Sequence, residues 1–286
     1  MRNKILNLIS TMTVFSISHA ALADTKPIDT NTDTKKNANH YIFKLMPYKE
    51  NYLLPFNYSD RPYNSFYNNN YIAPNDENVK KSEVEFQFSI MHGIVERIAG
   101  YDNELFLTYT QKSFWQLYSK SAWFRETNYE PELLFRMHTD YRLNKWFFKN
   151  TDLSINHESN GRGGDAERSW NRIILAQELE RGNWSFKLSV WSRIEAGTDY
   201  NPNITDYLGH GSFEITRYFD DFKISFLSQN NVESGFSKGA ETLSFSYKIG
   251  NGFAAYIKLF SGYGQSLAEY DHYTNSVGVG FTLSDW

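Results

Sequence analysis

From Glu83 onward, apolar and polar residues alternate with a period of two. Val84, Phe86, Phe88 and Ile90 are interleaved with Glu83, Glu85, Gln87 and Ser89, and Trp184, Phe186, Leu188 and Val190 with Ser185, Lys187 and Ser189. The pattern returns at Leu243, Phe245 and Tyr247 and again at Val277, Val279, Phe281 and Leu283. Each run places its apolar side chains on one face of a β-strand. Turn signals fall between runs at hairpin spacing, among them Arg181-Gly182-Asn183, Asp220-Asp221 and Gly250-Asn251-Gly252. A tilted membrane strand takes about 9 to 11 residues, so the chain from residue 83 to its end has room for about ten to twelve strands. Residues 57–82 contain Pro62, Pro74 and the tract Tyr67-Asn68-Asn69-Asn70-Tyr71, and read as loop. There is no internal repeat and no break in composition that marks a second domain.

The amino terminus reads differently. Met1 to Lys4 is short and basic, Ile5 to Ile17 is largely apolar, and Ala21-Leu22-Ala23 supplies small residues for cleavage, so residues 1–23 read as a signal peptide. Residues 24–40 form a polar, aperiodic segment, and the barrel domain is expected over 41–286. Beyond the leader no run approaches the roughly 18 to 20 apolar residues of a membrane helix. Aromatic residues nevertheless make up 17% of the 286 residues. That excess, an export signal and alternating strands together point to an all-β, antiparallel transmembrane barrel with aromatic girdles, the apolar faces turned to lipid. A secreted soluble β-protein is the plainer alternative. Trp286 suits the aromatic end of an exported barrel, although it is out of phase with Phe281 and Leu283. The absence of Cys excludes disulfides and thiolate metal sites, and a net charge of −4 gives no reason to expect nucleic acid as a partner.

One strand breaks the greasy pattern. In Leu153-Ser154-Ile155-Asn156-His157-Glu158-Ser159 the odd positions share a face, so a lipid-facing Leu153 and Ile155 put His157 and Ser159 outward too. Polar groups there are costly unless satisfied, which hints at function. Asn171, Ile173, Leu175 and Leu179 share one parity on the following strand, Gln177 excepted, and a hairpin through Gly161, Gly163 and Gly164 would set Asn171 beside His157. A hydroxyl, an imidazole and an amide in a row can act as nucleophile, proton carrier and ring-orienting group in ester hydrolysis. A bare His-x-Ser spacing is common by chance, and taken alone favours two residues solvated at the barrel rim.

The longer strings are more specific. NHESNGR at 156–162 with RSWNR at 168–172 resembles the signature of the outer-membrane phospholipase A family. The stretch YTQKSFWQLYSKSAWFRETNYEPEL at 109–133, Asn183-Trp184, Thr198-Asp199, Asn201-Pro202 and SGYGQSL at 261–267 are similar to the same family, and the likeness runs from about Tyr52 to the end of the chain. The resemblance implies a twelve-stranded outer-membrane barrel with its site on the outer wall. It also implies a Ca²⁺-dependent hydrolase of phospholipids and lysophospholipids, active as a homodimer and dormant as a monomer. Ser159 is then the nucleophile, His157 the base and acid, Asn171 the orienting group and the Gly161 N–H the oxyanion donor. The calcium ligands it implies are the Arg162 carbonyl, a side chain of the next loop, and Ser121 from the partner chain.

The chain departs from the pattern in that loop, where Glu167 stands in place of a Ser. A carboxylate is a harder ligand, so calcium binding is retained in expectation while the ligand set changes. Asp165 and Asp199 are further candidates, set against the plainer reading as solvated loop acids. Two placements stay open for Gln111: the family's lipid-facing dimer interface, or the lumen. His138 lacks metal-ligand spacing, and Gly262-Tyr263-Gly264 reads as a turn, since no Lys-Ser/Thr follows. The competing functions are a porin or transport barrel without catalysis, and a structural or adhesive surface barrel. Neither gives a reason to aim His, Ser and Asn at lipid.

Overall fold

Alternation of polar and apolar residues, with turns every dozen or so positions, closes the chain on itself. The computed structural model describes residues 45–283 other than Ala196, Asn231 and Asn251. The expected signal peptide, the polar segment at 24–40 and Trp286 lie outside the described residues. The strands are β1 (Met46–Pro47), β2 (Tyr52–Ser59), β3 (Ser82–Glu96), β4 (Asn103–Trp115), β5 (Phe124–Leu143), β6 (Trp146–Ser159) and β7 (Ser169–Arg181), followed by β8 (Trp184–Ile194), β9 (Gly211–Tyr218), β10 (Phe222–Gln229), β11 (Ala240–Gly250), β12 (Phe253–Tyr263) and β13 (Tyr273–Leu283). All pairings are antiparallel between sequence neighbours, and β13 pairs with β2 to complete the ring. Setting aside the two-residue β1, which rides on β3 at Met91 and Ile90, twelve strands form a closed barrel. Closure leaves no unpaired edge, which is the condition for a β-structure to cross lipid.

The phase read from the sequence holds. Phe88, Leu153, Ile155, Leu188, Val190, Phe245, Val277, Val279 and Phe281 are exposed on the outer wall, while Glu85, Ser89, Asp152, Ser154 and Ser246 are buried inside. The interior is filled by ion pairs: Arg125 binds Glu83 at 2.7 Å and Glu269 at 2.8 Å, Arg136 binds Asp152 at 2.8 Å, and Lys258 meets Glu85. A polar cavity of about 630 Å³ remains among them, lined in part by Arg136, Asp152 and Lys258. One barrel end carries short turns such as Gly182-Asn183, with Gly182 at φ 58°; the other carries the long loops. Barrels of this kind place the short turns in the periplasm. At the loop end the two-turn helix α1 (Asn64–Asn69) and the single turn α2 (Ile204–Leu208) fold inward. Trp170, Trp191, Ile204, Leu208, Leu267 and Tyr270 pack into an apolar stopper across that mouth.

Two sequence expectations are corrected. The first wall strand, β2, lies within the expected barrel domain but before the first clean alternation, and takes residues 57–59 from the expected loop at 57–82; its period is obscured because Pro55 falls in an irregular stretch where the β2–β3 register shifts between Leu54 and Asn57. A Pro cannot donate to the ladder and sits at bulges. Gly280 on β13 accommodates the crowding, since a Cβ there would lie 2.0 Å from the Leu53 carbonyl oxygen. The Asn-rich tract at 67–71 is also not a solvated loop: α1 buries Phe66 and Tyr67, and Arg125 donates to the Tyr67 hydroxyl at 2.7 Å.

Candidate functional site

The hairpin β6–β7 builds the site. Its register pairs His157 with Asn171, two rungs above the pair Ile155 and Ile173, and Ser159 with Ser169 two rungs further on. Because Ile155 and Ile173 are exposed on the outer wall, the period of two puts His157, Ser159 and Asn171 on that wall as well, at the loop end. His157 Nδ1 lies 2.8 Å from Asn171 Oδ1. An amide oxygen only accepts, so Nδ1 carries the proton and Nε2 keeps its lone pair. Ser159 closes β6, two residues along the same face, and pairs with Tyr129 of β5 on its other side. A band of exposed Leu133, Leu153, Ile155 and Ile173 lies beneath, and exposed Ile194 flanks Asn171 on β8, so the polar group sits at the upper rim of an apolar surface.

The loop after Ser159 is held by Asn160, whose Oδ1 accepts from the N–H of Arg162 at 3.3 Å and of Arg168 at 3.0 Å, and whose Nδ2 donates to the Ala166 carbonyl at 2.9 Å. Gly161 adopts φ +66°, and a Cβ added there would meet the Tyr129 ring at 3.0 Å, so both backbone and space require glycine. The N–H groups on either side of Gly161 are engaged, while that of Gly161 has no intramolecular acceptor among the described residues. It is free to receive a developing anion close to Ser159.

Acidic groups in and near the loop differ in availability. Glu167 is half-buried, its carboxylate receives only a long 3.5 Å bond from Ser169 Oγ, and it has no cationic partner among the described residues. Asp165 is exposed on the turn Gly164–Ala166. Asp199 is already engaged, by Arg193 at 2.8 Å and by the Asn201 N–H at 3.0 Å, which favours the structural reading of that acid. Arg162 turns its guanidinium away, to the Arg125 carbonyl at 2.8 Å and Glu126 at 3.4 Å. Ser121 is exposed on the β4–β5 loop. Among the described residues no three His, Cys, Asp or Glu side chains gather into a metal cluster.

Gln111 settles on the outer face. It pairs with the exposed Phe88, and its amide is satisfied locally, accepting from the Tyr109 hydroxyl at 3.0 Å and donating to Ser113 Oγ at 3.2 Å. Sequence reasoning passed over the inward half of both motif strings, Asn156, Glu158, Trp170 and Arg172, which interlock directly behind the site. Their alternation with His157, Ser159 and Asn171 was the available signal.

Comparison with known proteins covers most of the chain. Residues 28–283 match the model of the family described as phospholipase A1. The chain is 40% identical over 247 residues to a phospholipase A1 of Escherichia coli K12, covering 85% of this chain and 82% of that protein. It is similar to the crystal structure of a Salmonella typhi outer membrane phospholipase dimer with bound calcium, with a TM-score of 0.80 and 36% identity over 86% of this chain and 94% of that one. It is likewise similar to outer membrane phospholipase A from Escherichia coli, with a TM-score of 0.79 and 36% identity over 85% of this chain and 99% of that one.

Proposed function

The chain belongs to the phospholipase A1 family, and from that premise we propose that it is a calcium-dependent outer-membrane hydrolase of phospholipid and lysophospholipid acyl esters, working through Ser159, His157 and Asn171. The observation that carries the reading is the 2.8 Å bond between His157 Nδ1 and Asn171 Oδ1 on the lipid-facing wall beside Ser159. Neither a porin nor an adhesive barrel has a use for a tautomer-fixed imidazole in that place.

The chemistry follows from the geometry. Nε2 of His157 accepts the Ser159 proton as Oγ attacks the acyl carbonyl, and Asn171 stabilises the orientation of the imidazolium that forms. The carbonyl oxygen becomes an anion received by the Gly161 N–H. His157 then returns the proton to the departing alcohol, and water repeats the sequence on the acyl-enzyme. A neutral Asn as third member avoids placing a carboxylate at the edge of the hydrocarbon.

The residues present fit a calcium ion. Glu167 offers an unpaired hard oxygen, and the Arg162 backbone carbonyl lies in the same loop, a donor set of the kind Ca²⁺ takes. When bound, the ion would supply positive charge beside the developing oxyanion. The remaining donors include Ser121 of the partner subunit, and Asp165 lies near enough in sequence to contribute. The active form is thus a homodimer and the monomer is dormant, with Gln111 and its neighbours at the lipid-facing interface.

Fatty-acid release from a defined phospholipid, with and without calcium and paired with cross-linking, tests the reading. Release that tracks the cross-linked dimer supports it; release from a protein that stays monomeric contradicts the dimer requirement. Asn171→Ala should reduce kcat by about 10- to 100-fold, less than loss of Ser159 or His157, since packing of the ring on β6 retains part of its orientation. An equal loss would give the amide a larger part than orientation. Glu167→Gln, which keeps shape and removes charge, should raise the calcium needed for half-maximal activity by about tenfold. An unchanged titration would remove Glu167 from the ligand set.

A further inference from the structure

The two motif strings carry a second constellation on their inner face. In an antiparallel ladder the rung next to His157 and Asn171 is the pair Asn156 and Arg172, whose side chains point into the lumen. Arg172 grips that rung with a fork: Nε lies 3.1 Å and Nη2 2.7 Å from Asn156 Oδ1. The same Nη2 reaches Glu130 on β5 at 3.1 Å and Glu158 on β6 at 3.2 Å. Asn156 Nδ2 donates in turn to Glu130 at 2.9 Å. The guanidinium lies 4.0 Å from the centre of the Trp170 ring, and Trp170 Nε1 donates to Glu158 at 2.8 Å. β5, β6 and β7 are thereby locked together one residue behind the site.

We propose that Arg172 is a positioning residue for the reaction: its planar fork and stacked face fix the β6–β7 rung at which His157 meets Asn171. The proposal rests on the triad reading above. It goes beyond charge balance in a polar lumen, because charge balance requires one positive group, whereas this site uses the edge and the face of a guanidinium at once. An ammonium can replace the charge and neither of those contacts. Glu130 is further anchored by Lys49, at 2.7 Å, from the segment joining β1 to β2, which extends the brace across the lumen.

The test is Arg172→Lys, which keeps the positive charge among Glu130 and Glu158. We expect kcat to fall about tenfold with KM within about twofold, and the Nδ1–H proton resonance of His157, in protein labelled at histidine, to shift or broaden. Adding Asn171→Ala to Arg172→Lys should cost clearly less than Asn171→Ala alone, because both act on one pair. If Arg172→Lys does not refold, Glu130→Gln spares the arginine, removes one of its acid anchors and is read in the same way. A wild-type rate in the variant that folds, or a loss that simply adds to that of Asn171→Ala with an unchanged His157 resonance, would overturn the proposal. Failure of the parent reading looks different. A fluorophosphonate that leaves Ser159 unlabelled in the wild-type protein removes the triad, whereas labelling in wild type at a rate that Arg172→Lys does not slow removes only the clamp.

Discussion

Ser159→Ala is expected to lower hydrolysis of a defined phospholipid by ~10⁴-fold or more, with the barrel still folded by the heat-dependent shift of its gel mobility. The oxygen that attacks is gone, and nothing beside it can stand in: its rung partner on β7 is Ser169 and on β5 Tyr129, neither of which has an imidazole paired across from it. His157→Ala should cost as much, since an unassisted hydroxyl is a poor nucleophile at neutral pH. The double variant should be little worse than either single one, because the two groups act as a unit. Near wild-type release of fatty acid by either variant would refute the assignment. The comparison is clean, since both side chains face outward and neither carries a lumenal bond that holds strands together.

Chelation is the second large effect. With EDTA in excess, turnover should fall by about 10²- to 10³-fold, and added calcium should restore it. The argument is electrostatic. Gly161 offers one N–H to the developing anion, its neighbours being committed to Arg168 and Asn160, and a single neutral donor is a weak partner for a full charge. Glu167, an acid of the same loop without a cationic partner among the described residues, would oppose that anion if left bare, so a bound cation would change the sign of the loop's contribution. Full turnover in EDTA would mean that the loop has lost its dependence on metal.

The fold was readable wherever the two sides of a strand meet different solvents. Leu188 against Lys187, or Phe245 against Ser244, records lipid on one side and a polar lumen on the other. β2 escaped because Leu54 and Tyr52 are apolar yet face inward, where Tyr52 donates to Glu85 at 2.6 Å, and because Pro55 interrupts the count. The helix α1 was hidden because the asparagines that follow Phe66 and Tyr67 read as loop, and nothing in the local pattern says that those two aromatic side chains are buried. At the site, parity turned His157 and Ser159 outward, and the glycine-rich hairpin set Asn171 opposite His157. What parity could not show was that Asp199 belongs to Arg193, since an ion pair across a loop leaves no period in a sequence. Gln111 shows the same limit from the other side: a glutamine reads equally well inward or outward, and the Tyr109 and Ser113 contacts that make the outer position tolerable depend on rotamers.

The stopper of Trp170, Trp191, Ile204 and Leu208 across the barrel mouth has a consequence for how the protein meets its substrate. With the mouth packed and the proposed reactive groups on the outside wall, nothing has to pass through the barrel, and encounter happens by sideways drift within a sheet of lipid. What governs the frequency of encounter is then how many lipids occupy each unit of membrane area around the wall, a crowding in two dimensions that bulk concentration does not measure.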